Sequence, residues 1–117
     1  MADLQATITE LWDQRDTLGP DNDEARDAIH EVIDLLDRGE LRCAEVVNGD
    51  VVVHEWVKLA VLMLFRISEM QTESVGPFEY LDKIPLKDDY ASARVRVVPG
   101  AAARWGSFLA PGVTLMP

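Results

Sequence analysis

The chain has a single cysteine, Cys43, so no internal disulfide can form and no cysteine cluster can hold zinc. That usage fits a reducing compartment, with Cys43 expected as a small buried hydrophobe. Long apolar runs are also missing. The most apolar stretch, residues 56–67, is too short to span a bilayer and carries Lys58 and Arg66. Met1-Ala2-Asp3 opens polar and acidic, so no secretory signal is expected and the cytoplasm is the natural location. Basic side chains are scarce, 11 against 21 acidic ones, for a formal net charge of −10. A phosphate backbone calls for a basic face, so nucleic acid is not an expected partner, and neither is a membrane. No glycine-rich phosphate loop and no HExxH metal motif occurs.

What charge there is lies unevenly. Residues 1–81 hold six basic and eighteen acidic side chains, whereas residues 82–117 hold five basic and three acidic ones. The acidic part reads as a solvated surface. An anionic ligand would go to the other part. At 117 residues the chain fits one domain-sized core.

Residues 3–16 place Leu4, Ile8, Leu11 and Trp12 on one stripe at helical spacing, and Gly19-Pro20 stops that helix. Asn22 or Asp23 can cap a second helix with Glu24 and Asp27 in its acidic first turn. Ala25, Ala28, Ile29, Val32, Ile33 and Leu36 form its apolar face, and Gly39 stands where a left-handed terminator belongs. Asn48-Gly49 between two valine-rich runs signals a β-hairpin near residues 41–54, with Asp50 leaving a two- or three-residue loop open. The stretch EWVKLAVLMLFRI is apolar on nearly all sides and predicts a central helix on which the first two helices and the hairpin pack. Residues 68–96, with Gly76-Pro77 and Ile84-Pro85, show no clear period and read as an irregular connection.

From Val97 onward the chain can be written in sixes, VVPGAA ARWGSF LAPGVT LMP, with Gly100, Gly106 and Gly112 each in fourth place. The first place reads Val97, Ala103, Leu109, Leu115 and the fifth reads Ala101, Ser107, Val113. A left-handed parallel β-helix has this period: the first place points inward, the fifth packs in the narrow interior, and glycine relieves the corner. The middle block fits less well, its first place being small. Three blocks amount to about one coil, which cannot cover its own interior. A Gly/Pro-rich extension with fortuitous spacing is the alternative, and the pattern alone leaves both open. The fold class read here is α+β: a helical region with a hairpin over 1–90, then the start of a β-helix over 91–117 that breaks off at Pro117.

Taken in order, VIDLLDRGELRCAE, HEWVKLAVLMLFRI, YLDKIPLK, RVVPGAA and LMP resemble the bacterial tetrahydrodipicolinate N-succinyltransferase family. The resemblance covers nearly the whole chain but only the first part of a family member. Gly100 stands where a second proline is common, and the connection between Tyr90 and Arg96 is short. The resemblance implies a helical N-terminal domain, a left-handed β-helix and a homotrimer. It implies transfer of a succinyl group from succinyl-CoA, as co-substrate and without bound cofactor or metal, to the amino group of opened tetrahydrodipicolinate, on the route to diaminopimelate and lysine. Substrates would meet between neighbouring β-helices. Arg96 matches the family's substrate-binding arginine, and a guanidinium fork suits one carboxylate of a dicarboxylate acceptor. The acidic residue completing the acceptor site would lie on a later coil, so no catalytic residue falls within 1–117 and this piece is expected to be inactive by itself.

Lys83 and Lys87, flanking Ile84-Pro85, are further candidates for contact with the acceptor or with CoA. His54 is a conceivable general base, but no nucleophile sits at suggestive spacing and capping or packing is the simpler role. His30 reads as solvated. Arg66 reads as a helix terminator or a partner for a carboxylate such as Glu69. Trp12, Trp56 and Trp105 read as core. Two readings of other kinds remain: a stand-alone helical interaction module whose tail adds to a partner's β-helix or sheet edge, and the first part of another hexapeptide acyltransferase.

Overall fold

The computed structural model describes all 117 residues, a flat α+β molecule of 41 × 40 × 20 Å. Its elements run α1 (Ala2–Asp13), α2 (Asp23–Asp37), β1 (Ala44–Val47), β2 (Asp50–Val53), α3 (Glu55–Ile67), β3 (Gln71–Val75), β4 (Phe78–Asp82), α4 (Tyr90–Ala93), β5 (Arg96–Val97) and β6 (Thr114–Leu115). No helix is long and apolar enough to cross a membrane.

The helices form where the apolar spacing places them. Helix α1 ends at Asp13, three residues short of the expected end, and a 3-10 turn over Arg15–Thr17 replaces its last turn. Asn22 rather than Asp23 caps α2: its Oδ1 accepts the Ala25 N–H at 3.0 Å. At the other end Gly39 takes φ +76 as expected, while the Glu40 and Leu41 N–H groups return to the Leu35 carbonyl.

The core lies between the three long helices. Ile8 enters from α1, Ala25, Ile29, Val32, Ile33 and Leu36 from α2, and Trp56, Val57, Ala60, Met63, Leu64 and Ile67 from α3, with Leu18 and Ile84 closing its rim. Helix α3 is not buried all round. Leu62 is 56% exposed and Phe65 also faces outward, so α3 has one core face and one apolar outer face. Cys43, Trp12 and Trp105 are half-buried against this core, and only Trp56 of the tryptophans is inside it.

The hairpin closes on Asn48 (φ +51) and Gly49 (φ +85), with Val47 opposite Asp50, so the loop has two residues. It does not pack on α3 as expected. Every residue of β1 and β2 is exposed, and Val46 and Val51 sit opposite each other at 71% and 72% exposure. Helices α1 and α2 already cover the core face of α3, so the hairpin is left as an outlying ribbon.

Residues 68–96 are more ordered than the sequence suggests. Strands β3 and β4 form a second antiparallel hairpin, Gln71 opposite Asp82 through Val75 opposite Phe78, turning at Gly76-Pro77 with Gly76 at φ +58. A Gly-X pair at the reversal is the local mark of this turn. Gln, Glu and Ser along the strands conceal it, because both faces are solvated.

The sixes translate into backbone geometry. Gly100, Gly106 and Gly112 all have φ between +90 and +102. An N–H to carbonyl bond from the fifth to the second place recurs in each block: Ala101 to Val98, Ser107 to Arg104, Val113 to Ala110. After three such corners the chain returns beside itself. Strands β5 and β6 pair in parallel with Arg96 opposite Thr114 and Val97 opposite Leu115, a register of eighteen residues.

The ill-fitting middle block is the one that docks on α2. Asp37, the last residue of α2, accepts from Lys87 Nζ at 2.8 Å and from the Gly106 N–H at 2.8 Å through the same Oδ1. Lys87 Nζ also donates to the carbonyls of Asp37 and Ser107. Trp105 Nε1 donates to Asp34, and the Phe108 ring lies over Gly39, where a Cβ would sit 2.8 Å from the ring. The Lys87 and Asp37 side chains are only 15% and 27% exposed, so this pair is weakly screened. Replacing Asp37 by Ala takes the carboxylate from the Lys87 ammonium and the acceptor from the Gly106 N–H, and the expected cost is about 2–3 kcal/mol. Urea unfolding of Asp37→Ala and Asp37→Asn measures it; a loss below about 0.5 kcal/mol would place the pair among ordinary surface ion pairs.

Candidate functional site

The cationic side chains of residues 82–117 occupy three different settings. Lys83 donates to the Phe65 carbonyl at 2.9 Å, so it satisfies an end carbonyl of α3 and has its stem anchored there. Lys87 has all three ammonium protons committed to Asp37 and Ser107. Arg96 stands on β5 with its backbone N–H bonded to the Val113 carbonyl at 3.0 Å and its side chain exposed. It forms none of the ion pairs and side-chain hydrogen bonds of the chain.

The best-formed concavity is a cleft of about 430 Å³ between the β3–β4 hairpin, residues 83–86 and residues 102–104. Lys83 lines it; Lys87 and Arg96 do not. The structure therefore does not gather the three sequence candidates into one pocket. It adds two polar residues that sequence reasoning missed, Asp82 and Arg104. Arg104 Nε and Nη2 both reach Asp82 Oδ2, at 2.9 and 2.5 Å, tying the end of β4 to the coil. The Lys83 N–H and, next, the Arg104 guanidinium hold the Asp82 carboxyl below its ordinary value. Arg104 sits in second place of a hexapeptide block, but nothing in the sequence couples it to Asp82. Across the cleft Glu73 Oε1 accepts the Leu86 N–H at 3.3 Å.

A second, polar cleft of about 410 Å³ is lined by Arg26, His30, Ser68, Glu69 and Lys83 with Trp105 at one wall. His30 is not the solvated residue expected. Its ring meets Trp105 edge-on at 5.0 Å. Desolvation, helped by Arg26, lowers its pKa below 6.5, with Asp34 and Asp27 opposing. Arg66 pairs with Asp16 at 3.5 Å, not with Glu69. His54 stands at the N-terminus of α3 without a side-chain capping bond, its Nε2 3.3 Å from Glu45 Oε1, and lines neither cleft.

Comparison with known proteins supplies the family. The family described as "Tetrahydrodipicolinate N-succinyltransferase N-terminal" matches residues 3–67, more than half the chain. The chain belongs to this family. A 2,3,4,5-tetrahydropyridine-2,6-dicarboxylate N-succinyltransferase of Photorhabdus laumondii is 46% identical over 125 positions, spanning all of this chain and 46% of the relative. Proteins of the same name from Pseudoalteromonas translucida and Bordetella pertussis are 43% and 42% identical, each matched over 45% of its length. The chain thus spans a little under half the length of these relatives. An alignment of 125 positions against 117 residues also means that the Photorhabdus and Pseudoalteromonas relatives carry residues this chain lacks.

A consequence for pH follows from His30. Its folded pKa lies below 6.5, so between the two values the unfolded chain binds the proton that the folded chain refuses. Stability attached to His30 is complete above pH 6.5 and declines as pH falls through that window. Urea midpoints at pH 7.5 and 5.5 are expected to fall more for the wild type than for His30→Gln. Equal shifts would show that His30 is free of its surroundings.

Proposed function

We propose that this chain provides the helical N-terminal region and the opening coil of a succinyl-CoA-dependent tetrahydrodipicolinate N-succinyltransferase. The observation that carries the reading is the eighteen-residue parallel register between β5 and β6, closed by three glycine corners, in a chain of that family. One turn of a triangular coil built from hexapeptides has this register. Its first-place residues, Val97, Ala103, Leu109 and Leu115, are only half-buried, as an interior open at its ends would leave them. In this reading residues 91–117 begin a left-handed β-helix, further coils stack on β6, and the working assembly is a cytoplasmic homotrimer with substrates held between neighbouring β-helices. No metal or bound cofactor takes part.

The chemistry is attack of an acceptor amine on the thioester carbonyl, collapse of the tetrahedral intermediate and departure of the CoA thiolate. Within this chain Arg96 has the acceptor role: its guanidinium holds one carboxylate by two parallel N–H···O bonds and so orients the amine. Lys83, at the rim of the larger cleft, is a second cation that a ligand anion could recruit, at the cost of its bond to the Phe65 carbonyl. Lys87 is committed to Asp37 and is given no ligand here. No residue of the chain is assigned the proton transfer.

The test is a chimera in which this chain replaces the matching part of the Photorhabdus laumondii relative. Succinyl-CoA-dependent thiol release is expected from the chimera and not from the 117-residue chain alone. Arg96→Ala in the chimera is expected to raise KM for the acceptor about 10- to 100-fold, the loss of one charge-assisted bidentate contact. Turnover by the chain alone, or a well-folded trimeric chimera without activity, would overturn the assignment. A binding-module reading has the exposed β1–β2 ribbon in its favour, and the inactive chimera is the outcome that would support it.

A further inference from the structure

Strands β1 and β2 hold five of the chain's fourteen exposed large apolar side chains within eight residues. Their pairing sorts these by face. Ala44 opposite Val53 and Val46 opposite Val51 make one face wholly apolar, while Glu45, Val47, Asp50 and Val52 share the other. A sheet face turned to water ordinarily carries the polar residues of the alternation. Here the two most exposed valines, Val46 and Val51, stand opposite each other on the face that has no polar residue at all. The β3–β4 hairpin differs, since Glu73 on one face and Ser74 and Glu79 on the other keep both faces polar. A lone two-stranded ribbon is marginal in water, so the valine face calls for a cover that its own chain does not supply.

The charge of the three long helices decides which surface fits. Helix α1 carries three acidic residues and no base, α2 six acidic residues and one base, and α3 two bases and one acid. The ribbon is itself acidic, through Glu45 and Asp50, so α1 and α2 repel it and α3 does not. Only α3 also exposes large apolar side chains, Leu62 and Phe65, one turn apart on its outer face.

The order of residues matches as well. Lys58, Leu62 and Arg66 follow at intervals of four and form one ridge, with a cation on either side of an apolar residue. On the ribbon the Val46–Val51 pair lies between the pair that holds Glu45 and the pair that holds Asp50. Lys58 and Arg66 are about 12 Å apart along the helix. Glu45 and Asp50 are about 8 Å apart on the ribbon. Their carboxylates leave from its back, where long basic side chains reach them around the edges of a sheet two strands wide. The partners that Lys58 and Arg66 have within the chain, Glu55 at 3.6 Å and Asp16 at 3.5 Å, are exposed and cost little to exchange.

We infer that the apolar face of the β1–β2 ribbon docks on the outer face of α3 of a second copy of this chain. The inference rests on the homotrimer proposed above and names a contact within it. A ring of three identical copies closes through two different patches on each copy, and the ribbon and the Lys58–Leu62–Arg66 ridge are such a pair.

The test uses the chimera with all other cysteines replaced, carrying Val51→Cys and Leu62→Cys together and oxidised under mild conditions. Covalent dimers and trimers are expected. Neither single variant should form them, nor should Phe78→Cys with Leu62→Cys, which pairs an equally exposed residue of the other hairpin with the same helix position. Linking by Val51→Cys alone would mean that ribbon meets ribbon, and equal linking by the Phe78 pair would mean random collision; either overturns the contact. Val51→Lys, at an exposed position, is expected to leave the urea midpoint of the 117-residue chain unchanged and to lower the thermal midpoint of the trimeric chimera by about 5 °C or more. A fall in both would place the role of Val51 inside one chain, and a fall in neither would leave the ribbon in solvent; both results refute the inference. An active trimeric chimera without cross-links overturns the contact alone, whereas cross-linked but inactive chimera overturns the acyltransferase reading and leaves the contact standing.

Discussion

One carboxylate joins the two parts of this molecule. Asp37 closes helix α2, and through a single oxygen it receives the Lys87 ammonium and the Gly106 amide. Apart from this carboxylate and the Trp105 bond to Asp34, the helical layer meets the coil mainly through apolar contacts, which set no register. A charge-assisted bond to a backbone amide does set one, because it fixes which corner of the coil lies against the helix end. Trp105 on Asp34 and Phe108 over Gly39 then fall into place on either side. Of the cations of the connecting segment and coil, Lys87 is spent on this junction, whereas Lys83 goes to the Phe65 carbonyl of α3 and Arg104 to Asp82 of β4.

This division of labour explains the poorest hexapeptide. A block that served only the coil interior would carry a large aliphatic residue in first place. ARWGSF instead has Ala103 there and spends its bulk on Trp105 and Phe108, which cover α2 and the end of its apolar face. The sequence compromise belongs to a surface shared by two architectures. The two outlying hairpins show the opposite situation. Each is a two-stranded ribbon with almost no buried side chain, and such ribbons are only marginally stable by themselves in water.

Much of the fold was legible because local signals are strong wherever the backbone must do something unusual. Asn48-Gly49, Gly39 and the three glycines of the sixes were all expected in turns or at helix ends, and all adopt positive φ. The apolar stripes of α1 and α2 likewise required no knowledge of what covers them. The β3–β4 hairpin was not legible. Its strands lie in water on both sides, so no burial selected an alternating pattern and only Gly76-Pro77 marked it. The packing of β1–β2 was misjudged for a related reason: valine reports a preference for extended backbone and says nothing about which surface the strand meets. Among the candidate residues, Arg96 was singled out by its sequence context, whereas the partners of Lys83, Lys87 and Arg104 lie 18, 50 and 22 residues away and no local pattern announces them.

By itself the sequence determined the helices, the turns, the six-residue period and the imbalance of charge, since each depends on residues within a turn or two of one another. Tertiary structure alone decided which cations are committed and which are free. Lys87 and Arg96 are both basic residues in a short acidic-poor segment, indistinguishable by composition. One is spent against the end of α2, whereas the other faces solvent from β5. That distinction is a matter of distance across the fold, and the energy of an ion pair depends on the separation and burial of its charges.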